Sequence, residues 1–159
     1  MNGQYVLDAC CGSRMFYFEK HSPHVLFMDC RKGDFVLTNG KTVSVQPDIQ
    51  ASFEHMPFES ESFRMVVFDP PHVYSHGKGS DMEKTYGCLT RGWQQIIRNG
   101  FRECFRVLEP HGILLFKWCE ARIKLSSVLE LAPYGPLLGT RTKVPTAFIV
   151  FLKEELYKK

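Results

Sequence analysis

Three short apolar runs in this sequence each end in an aspartate. The runs occupy residues 4–8, 25–29 and 64–69, and the acids are Asp8, Asp29 and Asp69. Near-continuous apolar strands of this length are typical of a mostly parallel sheet that is covered on both faces. In such sheets the carboxyl ends of the strands form one edge, and ligands bind outside that edge. The pattern therefore predicts an α/β fold with three carboxylates along the binding edge of the sheet.

Two segments between these runs have their own signals. A β-hairpin is expected over about 35–45, because β-branched flanks surround Asn39-Gly40, the dipeptide favoured in two-residue type I′ turns. Residues 72–89 are rich in Gly, Ser and charged side chains, so we expect a long loop there. Loops of this length inside compact domains are often functional lids.

The remaining elements follow from hydrophobic spacing and helix-end signals. A short helix is expected over 13–19 with Ser13 as its N-cap, and a longer amphipathic helix over 90–108 with Thr90 as its N-cap. Pro110 is expected to end the longer helix. The other expected elements are a strand over 48–51, a strand over 113–118, a helix over 122–131 and a strand over 147–152.

Length and composition restrict the class of protein. The chain has 159 residues, a formal net charge of +3 and 44% hydrophobic residues, which fits one globular domain spanning 1–159. No apolar run approaches the roughly 20 residues of a membrane helix, so no membrane association is expected. The six cysteines form no C-x-x-C pair, which predicts reduced thiols in a cytoplasmic protein and no metal site.

The first strand and the turn after it suggest a nucleoside-containing cofactor. A tight turn at Gly12 brings backbone N–H groups close to a ligand. Asp29 follows Asp8 by 21 residues, about where an acid accepts the two hydroxyls of a ribose. The G-x-G-x-x-G spacing of NAD-binding turns and the G-x-x-x-x-G-K-[ST] loop for ATP or GTP are both absent from the sequence.

These motifs resemble those of class I S-adenosylmethionine-dependent methyltransferases. The D-A-C-C-G-S stretch at 8–13 is similar to the D-P-F-C-G-S-G form of motif I in amino-methyltransferases of nucleic acids, and F-D-P-P-H at 68–72 resembles their [DNS]-P-P-[YFW] signature. The nearest likeness is to small stand-alone bacterial and prophage enzymes with D-A-C-C-G-S-R-M and F-D-P-P-H. The resemblance implies a Rossmann-like, seven-stranded, mostly parallel sheet with the last strand antiparallel, helices on both faces and the hairpin as an insertion.

The resemblance also implies where the cofactor binds. The expected cofactor-binding residues are Asp8, Ala9, Cys10, Cys11, Gly12, Ser13, Arg14, Asp29, Ser52 and Phe53. Arg14 replaces the third glycine of the turn. It is expected either to pair with the carboxylate of the methionine moiety or to have a structural role, such as an ion pair with Asp8. Ser52 takes the place of an acid near the adenine, and Phe53 is expected to pack on the purine.

The expected catalytic residues are Asp69, Pro70, Pro71 and His72. An exocyclic amine is a poor nucleophile because its lone pair is delocalised into the ring. Acceptors aimed at its N–H hydrogens, here the Asp69 carboxylate and the Pro70 carbonyl, draw that lone pair toward attack. His72 replaces an aromatic residue and either stacks on the acceptor or acts as a base. Tyr74 and Lys117 are the expected substrate-binding residues.

The expected reaction is methyl transfer from S-adenosylmethionine to an amine nitrogen, foremost the exocyclic amine of a DNA or RNA base. The alternatives are methylation of a protein side chain or a small molecule, and a degenerate cofactor-binding module without catalysis. The expected partner is a nucleic-acid substrate. Reading of a target sequence would fall to the loop 72–89, to a partner or to a homo-oligomer.

Overall fold

The computed structural model describes residues 3–73, 79–140 and 145–159, and the structural statements below concern these ranges. Nine strands are found within them. They are β1 (Val6–Asp8), β2 (Val25–Asp29), β3 (Gly33–Val36), β4 (Thr42–Val45), β5 (Ile49–Gln50), β6 (Phe63–Phe68), β7 (Leu108–Cys119), β8 (Leu138–Gly139) and β9 (Thr146–Leu152). The α-helices are α1 (Asp81–Tyr86), α2 (Trp93–Val107) and α3 (Leu125–Leu129), and a 3₁₀ turn covers Glu155–Tyr157.

Seven of the strands form one sheet in the order β5-β2-β1-β6-β7-β9-β8. Neighbouring strands are parallel except for β9, which is antiparallel to both β7 and β8. This confirms the expected seven-stranded, mostly parallel sheet with an antiparallel last strand. In the register Asp8 lies opposite Phe27 and Val67. The three strand-end acids therefore share one edge of the sheet.

The core lies between one face of this sheet and α2. Ile97 and Phe101 of α2 are fully buried, and the ring of Phe101 packs against Phe116 of β7 with centroids 4.9 Å apart. Close approach depends on Gly100, because a Cβ atom at this position would lie 2.5 Å from the ring of Phe68. Buried Val128 places α3 on the same core.

The opposite face of the sheet differs from the expectation of helices on both faces. Near β1 and β2 it is covered by the segment 9–24, which forms turns, so the helix expected over 13–19 with Ser13 as its cap is wrong. On the same face at β7 and β9, Ile113 and Phe148 remain 42% and 43% exposed. Within the described ranges, the packing of α2 and α3 is confined to the other face.

Several element ends also differ from the sequence expectations. The long helix starts at Trp93 after Gly92, whose φ of 84° is left-handed, so Thr90 is not its N-cap. The next strand, β7, begins at Leu108, so Pro110 lies inside a strand. The pairing of β7 with β6 shifts register between Leu108 and Ile113, and His111 in this stretch has a φ of 61°. The helix expected over 122–131 is reduced to α3.

The hairpin and the loop after β6 both show local differences. The hairpin pairs β3 with β4, as expected, but of the central dipeptide only Gly40 has a positive φ, at 79°. Its loop is therefore a turn closed by the Gly40 N–H bond to the Leu37 carbonyl and followed by a glycine bulge, rather than a type I′ turn. The loop expected over 72–89 contains α1, which Ser80 caps. No helix in the described ranges is long and apolar enough to span a membrane.

Candidate functional site

Two adjoining cavities open at the carboxyl edge of the sheet. The larger has a volume of about 550 Å³, and a smaller cleft of about 40 Å³ lies beside it. Of the described residues, four line both cavities: Cys10, Arg31, Asp69 and Tyr86. A volume of several hundred Å³ with a few polar groups is typical of a small-molecule site.

Asp8 lies at the end of β1, behind the cavities. Its residue surface is 1% exposed, and its Oδ1 accepts a hydrogen bond from the Cys10 backbone N–H at 3.2 Å. Burial raises the pKa of Asp8 to about 7, and the nearby carboxylates of Asp69 and Asp29 contribute to the rise. Asp8 lines neither of the two cavities, so it acts on them through the turn that it supports.

The turn after β1 is fixed by backbone bonds to the neighbouring strands. The Ala9 N–H donates to the Val67 carbonyl at 3.0 Å, and the Cys11 N–H donates to the Met28 carbonyl at 2.8 Å. Gly12 has a φ of 50° and donates its N–H to Asp29 Oδ2 at 2.9 Å. The segment from Cys10 to Ser13 lines the cleft, whereas Ala9 is buried behind it.

Asp29 ends β2 and lines the larger cavity while being only 3% exposed. Its Oδ1 accepts bonds from the Arg31 backbone N–H at 2.9 Å and from Arg31 Nε at 3.3 Å. Its Oδ2 accepts bonds from the Gly12 N–H and, at 3.4 Å, from Arg31 Nη2. The side-chain contacts with Arg31 are the long ones of the four, so they are the ones that ribose hydroxyls could replace.

Arg14 occupies a different place from the one expected for a carboxylate ligand. Its guanidinium donates to the carbonyls of Lys20 and Gln46 at 2.7 Å each, pairs with Asp48 at 3.3 Å and lies 3.8 Å from the centroid of the Phe27 ring. Arg14 lines neither of the two cavities. Its φ of 57° explains why a glycine is usual at this turn position. The structural alternative is therefore favoured, although the partner is Asp48 and not Asp8.

Ser52 and Phe53 line the larger cavity, as expected of residues near an adenine. Ser52 Oγ accepts a bond from the Glu54 N–H at 3.2 Å, which holds the turn. Phe53 packs edge-on against Phe68 with centroids 5.2 Å apart. Phe35 of the hairpin also lines this cavity, so the insertion supplies part of the wall.

The Asp69-Pro70-Pro71 segment follows β6 and separates the two cavities. Pro71 lines the larger cavity and Pro70 lines the cleft. Asp69 Oδ2 lies 2.9 Å from Lys117 Nζ, because Phe68 and Phe116 are paired in register and the next residues face each other. Burial raises the pKa of Asp69, and the Lys117 ammonium opposes this rise.

His72 lines the cleft, with its ring centroid 5.9 Å from Tyr86 and 6.4 Å from Trp118. Burial, together with the positive charge of Lys117, lowers the pKa of His72, which favours the neutral form of the ring at pH 7. Lys117 itself lines neither cavity and binds Asp69 instead of facing open space. Tyr74 lies outside the described residues.

Sequence reasoning missed Arg31, Phe35, Glu54 and Tyr86, all of which line the cavities. Arg31 had a usable signal, because it follows the expected ribose acid by two residues. Phe35 and Tyr86 lacked one, since they reach the site through the hairpin and α1, whose placement depends on long-range contacts. Examples of these contacts are the Thr38 hydroxyl bond to Asp81 and the Lys84 Nζ bond to the Val36 carbonyl.

The residues present fit a nucleoside with a cationic tail. The buried acid Asp29 is available for ribose hydroxyls. Aromatic and apolar side chains are available to pack on a purine, namely those of Phe35, Phe53, Leu89 and Ile96. Further acidic side chains line the larger cavity at Glu54 and Glu83. This combination matches the chemistry of S-adenosylmethionine, which joins an adenosine to a positively charged sulfonium.

No protein-family model and no curated protein matches this chain. Solved structures do. PH0226 from Pyrococcus horikoshii OT3 gives a TM-score of 0.61 at 14% identity, covering 94% of this chain and 81% of that one. The N-methyltransferase NodS from Bradyrhizobium japonicum WM9 gives a TM-score of 0.58 at 12% identity, covering 96% of this chain and 86% of that one. An S-adenosylmethionine-dependent methyltransferase from Mesorhizobium loti gives a TM-score of 0.53 at 8% identity, covering 94% of this chain and 91% of that one. At such identities the likeness concerns the architecture, and the fold of this chain is that of the class I S-adenosylmethionine-dependent methyltransferases.

Proposed function

We propose that this protein transfers the methyl group of S-adenosylmethionine to an amine nitrogen, the exocyclic amine of a nucleic-acid base. The observation that carries the proposal is the position of Asp69. Its carboxylate borders both the larger cavity, which fits a nucleoside, and the cleft beside it. A methyl donor on one side and an acceptor amine on the other would meet at this residue.

The cofactor is assigned to the larger cavity and to the turn beside it. Asp29 receives the ribose hydroxyls, while Ser52 and Phe53 contact the adenine. The turn from Cys10 to Ser13 faces the amino-acid tail, with Asp8 and Ala9 supporting it from behind. When bound, S-adenosylmethionine supplies an electrophilic methyl group on a sulfonium.

Asp69 and the Pro70 carbonyl are the acceptors for the N–H hydrogens of the amine. The two prolines restrict the backbone, so this carbonyl is held in place before the substrate arrives. Lys117 opposes the effect of burial on the Asp69 carboxyl and so favours the ionised form that accepts hydrogen bonds. The nitrogen–carbon bond forms as the carbon–sulfur bond breaks, the sulfur keeps the electron pair of the broken bond and leaves as the thioether of S-adenosylhomocysteine, and the surplus proton passes from the nitrogen to the Asp69 carboxylate.

The cleft supports a flat aromatic acceptor. Within the described ranges, the rings of Phe16, His72 and Tyr86 border it, and stacking on such rings is how enzymes hold a base taken out of its strand. A neutral His72 ring suits stacking, because the group carries no charge that would need solvation. The similarity of fold to NodS, an N-methyltransferase, agrees with nitrogen as the acceptor atom.

The test offers radiolabelled methyl donor with DNA, RNA and protein extract in parallel. Label should enter nucleic acid with the wild-type protein. In Asp69→Ala, kcat should fall on the order of 10²-fold or more, with cofactor affinity nearly unchanged, because a positioned transition-state acceptor is lost. Asp69→Asn, which keeps an acceptor oxygen, should retain part of the activity.

Asp34→Ala is a matched control, since Asp34 is an exposed hairpin acid. It should leave the rate unchanged. Full activity in Asp69→Ala would refute the mechanism, and label entering only protein would refute the assigned substrate.

A further inference from the structure

Among the residues that the structure describes, Arg31 is the only cation that lines both cavities. Its guanidinium contacts Asp29 at 3.3 and 3.4 Å, and its Nη1 donates to the Lys84 carbonyl of α1 at 3.2 Å. The side chain is 22% exposed, so the guanidinium is reachable from the site but largely shielded from water. Of the described residues, Lys84 is the other basic one in the larger cavity, and its Nζ donates to the Val36 carbonyl at 2.7 Å.

Two glycines leave space around this guanidinium. A Cβ atom at Gly12 would lie 3.8 Å from Arg31 Nη2, and one at Gly87 would lie 3.7 Å from Arg31 Nε. The charged group therefore lies between the turn after β1 and the end of α1. This is the side of the site to which the amino-acid tail of the cofactor is assigned, and that tail ends in a carboxylate.

We propose that Arg31 binds the carboxylate of the cofactor's amino-acid tail and makes the site specific for donors that carry it. The inference rests on the proposed function. On binding, ribose hydroxyls replace the two long guanidinium contacts at Asp29, and the guanidinium turns to the incoming carboxylate. The Arg31 guanidinium thereby leaves the Asp29 carboxylate and binds the carboxylate of the cofactor. The buried Asp29 keeps its bonds from the backbone N–H groups of Gly12 and Arg31.

Arg14 does not compete for this role in the structure. Its guanidinium is engaged by two carbonyls, by Asp48 and by the ring of Phe27, and it lines neither cavity. Removing Arg14 would therefore weaken the folded protein without changing which cofactor tails it accepts. This makes Arg14 a matched control for Arg31, since both are arginines near the same turn.

The experiment measures the affinities of S-adenosylmethionine and decarboxylated S-adenosylmethionine by calorimetry. The two ligands share the adenosine, the sulfonium and the ammonium and differ in the carboxylate. The wild-type protein should prefer the carboxylate-bearing ligand by about 10- to 100-fold, the scale of a charge-assisted hydrogen-bonded pair. Arg31→Ala should bind both with nearly equal affinity, whereas Arg14→Ala should keep the wild-type preference.

The outcomes separate this inference from the proposed function. An Arg31→Ala protein that keeps the full preference would overturn the role of Arg31. Wild-type protein that binds neither ligand would overturn the cofactor assignment itself. If Arg31→Ala lacks a cooperative thermal transition, Arg31→Gln serves for the same comparison, because it keeps most of the side-chain volume and loses the charge. Arg31→Lys should show an intermediate preference, since its ammonium cannot form a two-pronged pair.

Discussion

The buried carboxyl of Asp8 should make the protein less stable as the pH rises toward neutral. The folded protein retains the proton of Asp8 up to a pH of about 7, whereas the unfolded chain releases it near its ordinary pKa of 3.8. Between these values unfolding releases a proton, so the free energy of unfolding falls with increasing pH. Asp8→Asn keeps the shape of the side chain and removes the ionisation, and it should abolish this fall.

The size of the effect follows from the pKa shift. Each pH unit between the two pKa values corresponds to about 1.4 kcal/mol. The interval from pH 5 to the folded-state pKa of about 7 covers two pH units. The stability advantage of Asp8→Asn over the wild-type protein should therefore widen by about 3 kcal/mol between pH 5 and pH 8. Above pH 7 the advantage should remain constant.

Urea unfolding at several pH values from 5 to 8 tests this prediction, with the difference between variant and wild type as the quantity compared. The difference cancels the titration of other groups. Asp48→Asn is the control: it keeps only one of the two acceptor oxygens that bind the Phe27 N–H and Arg14, and its difference from wild type should not follow the pH profile of Asp8→Asn. A difference for Asp8→Asn that does not change with pH would refute the argument.

Two further substitutions test the core and the ion pair between Lys117 and Asp69. Gly100→Ala should destabilise the protein by about 1–2 kcal/mol and weaken cofactor binding, because the new methyl group would meet Phe53 at 2.9 Å and Phe53 lines the larger cavity. Urea unfolding measures the loss of stability, and calorimetry measures the loss of affinity. Gln94→Ala, on the exposed side of α2, is the control and should show neither effect. Lys117→Met should raise the pKa of Asp69 further, so the acid limb of the kcat/KM profile should move to higher pH; a profile that stays in place would show that Lys117 does not set this ionisation.

Most of the strands were predictable because their signal is local, whereas β8 was not among the expected elements. Each buried strand is a short apolar run, and the three that end in aspartate gave the edge of the sheet at which the cavities lie. The Asp69-Pro70-Pro71 segment was found for the same reason, since its residues are consecutive. Residues that reach the candidate site from a strand end could therefore be predicted from the sequence.

The errors arose where distant partners decide the conformation. Ser13 looked like a helix cap, but Arg14 adopts a left-handed conformation, and its side chain is held by Gln46 and Asp48, more than 30 residues away. The same long-range contacts keep the Arg14 side chain out of both cavities. Likewise, a left-handed Gly92 separates Thr90 from the helix that it was expected to cap.

The uncovered part of the sheet gives this fold an attachment point for protein engineering. Ile113 pairs with Leu152 at the end of β7 away from Lys117 and the cavities, and its side chain is 42% exposed. An added amphipathic helix lying across these two residues would bury apolar surface that now faces water, which is stabilising. Because the cavities lie at the other end of the strands, such an addition would change solubility and thermal tolerance independently of the chemistry.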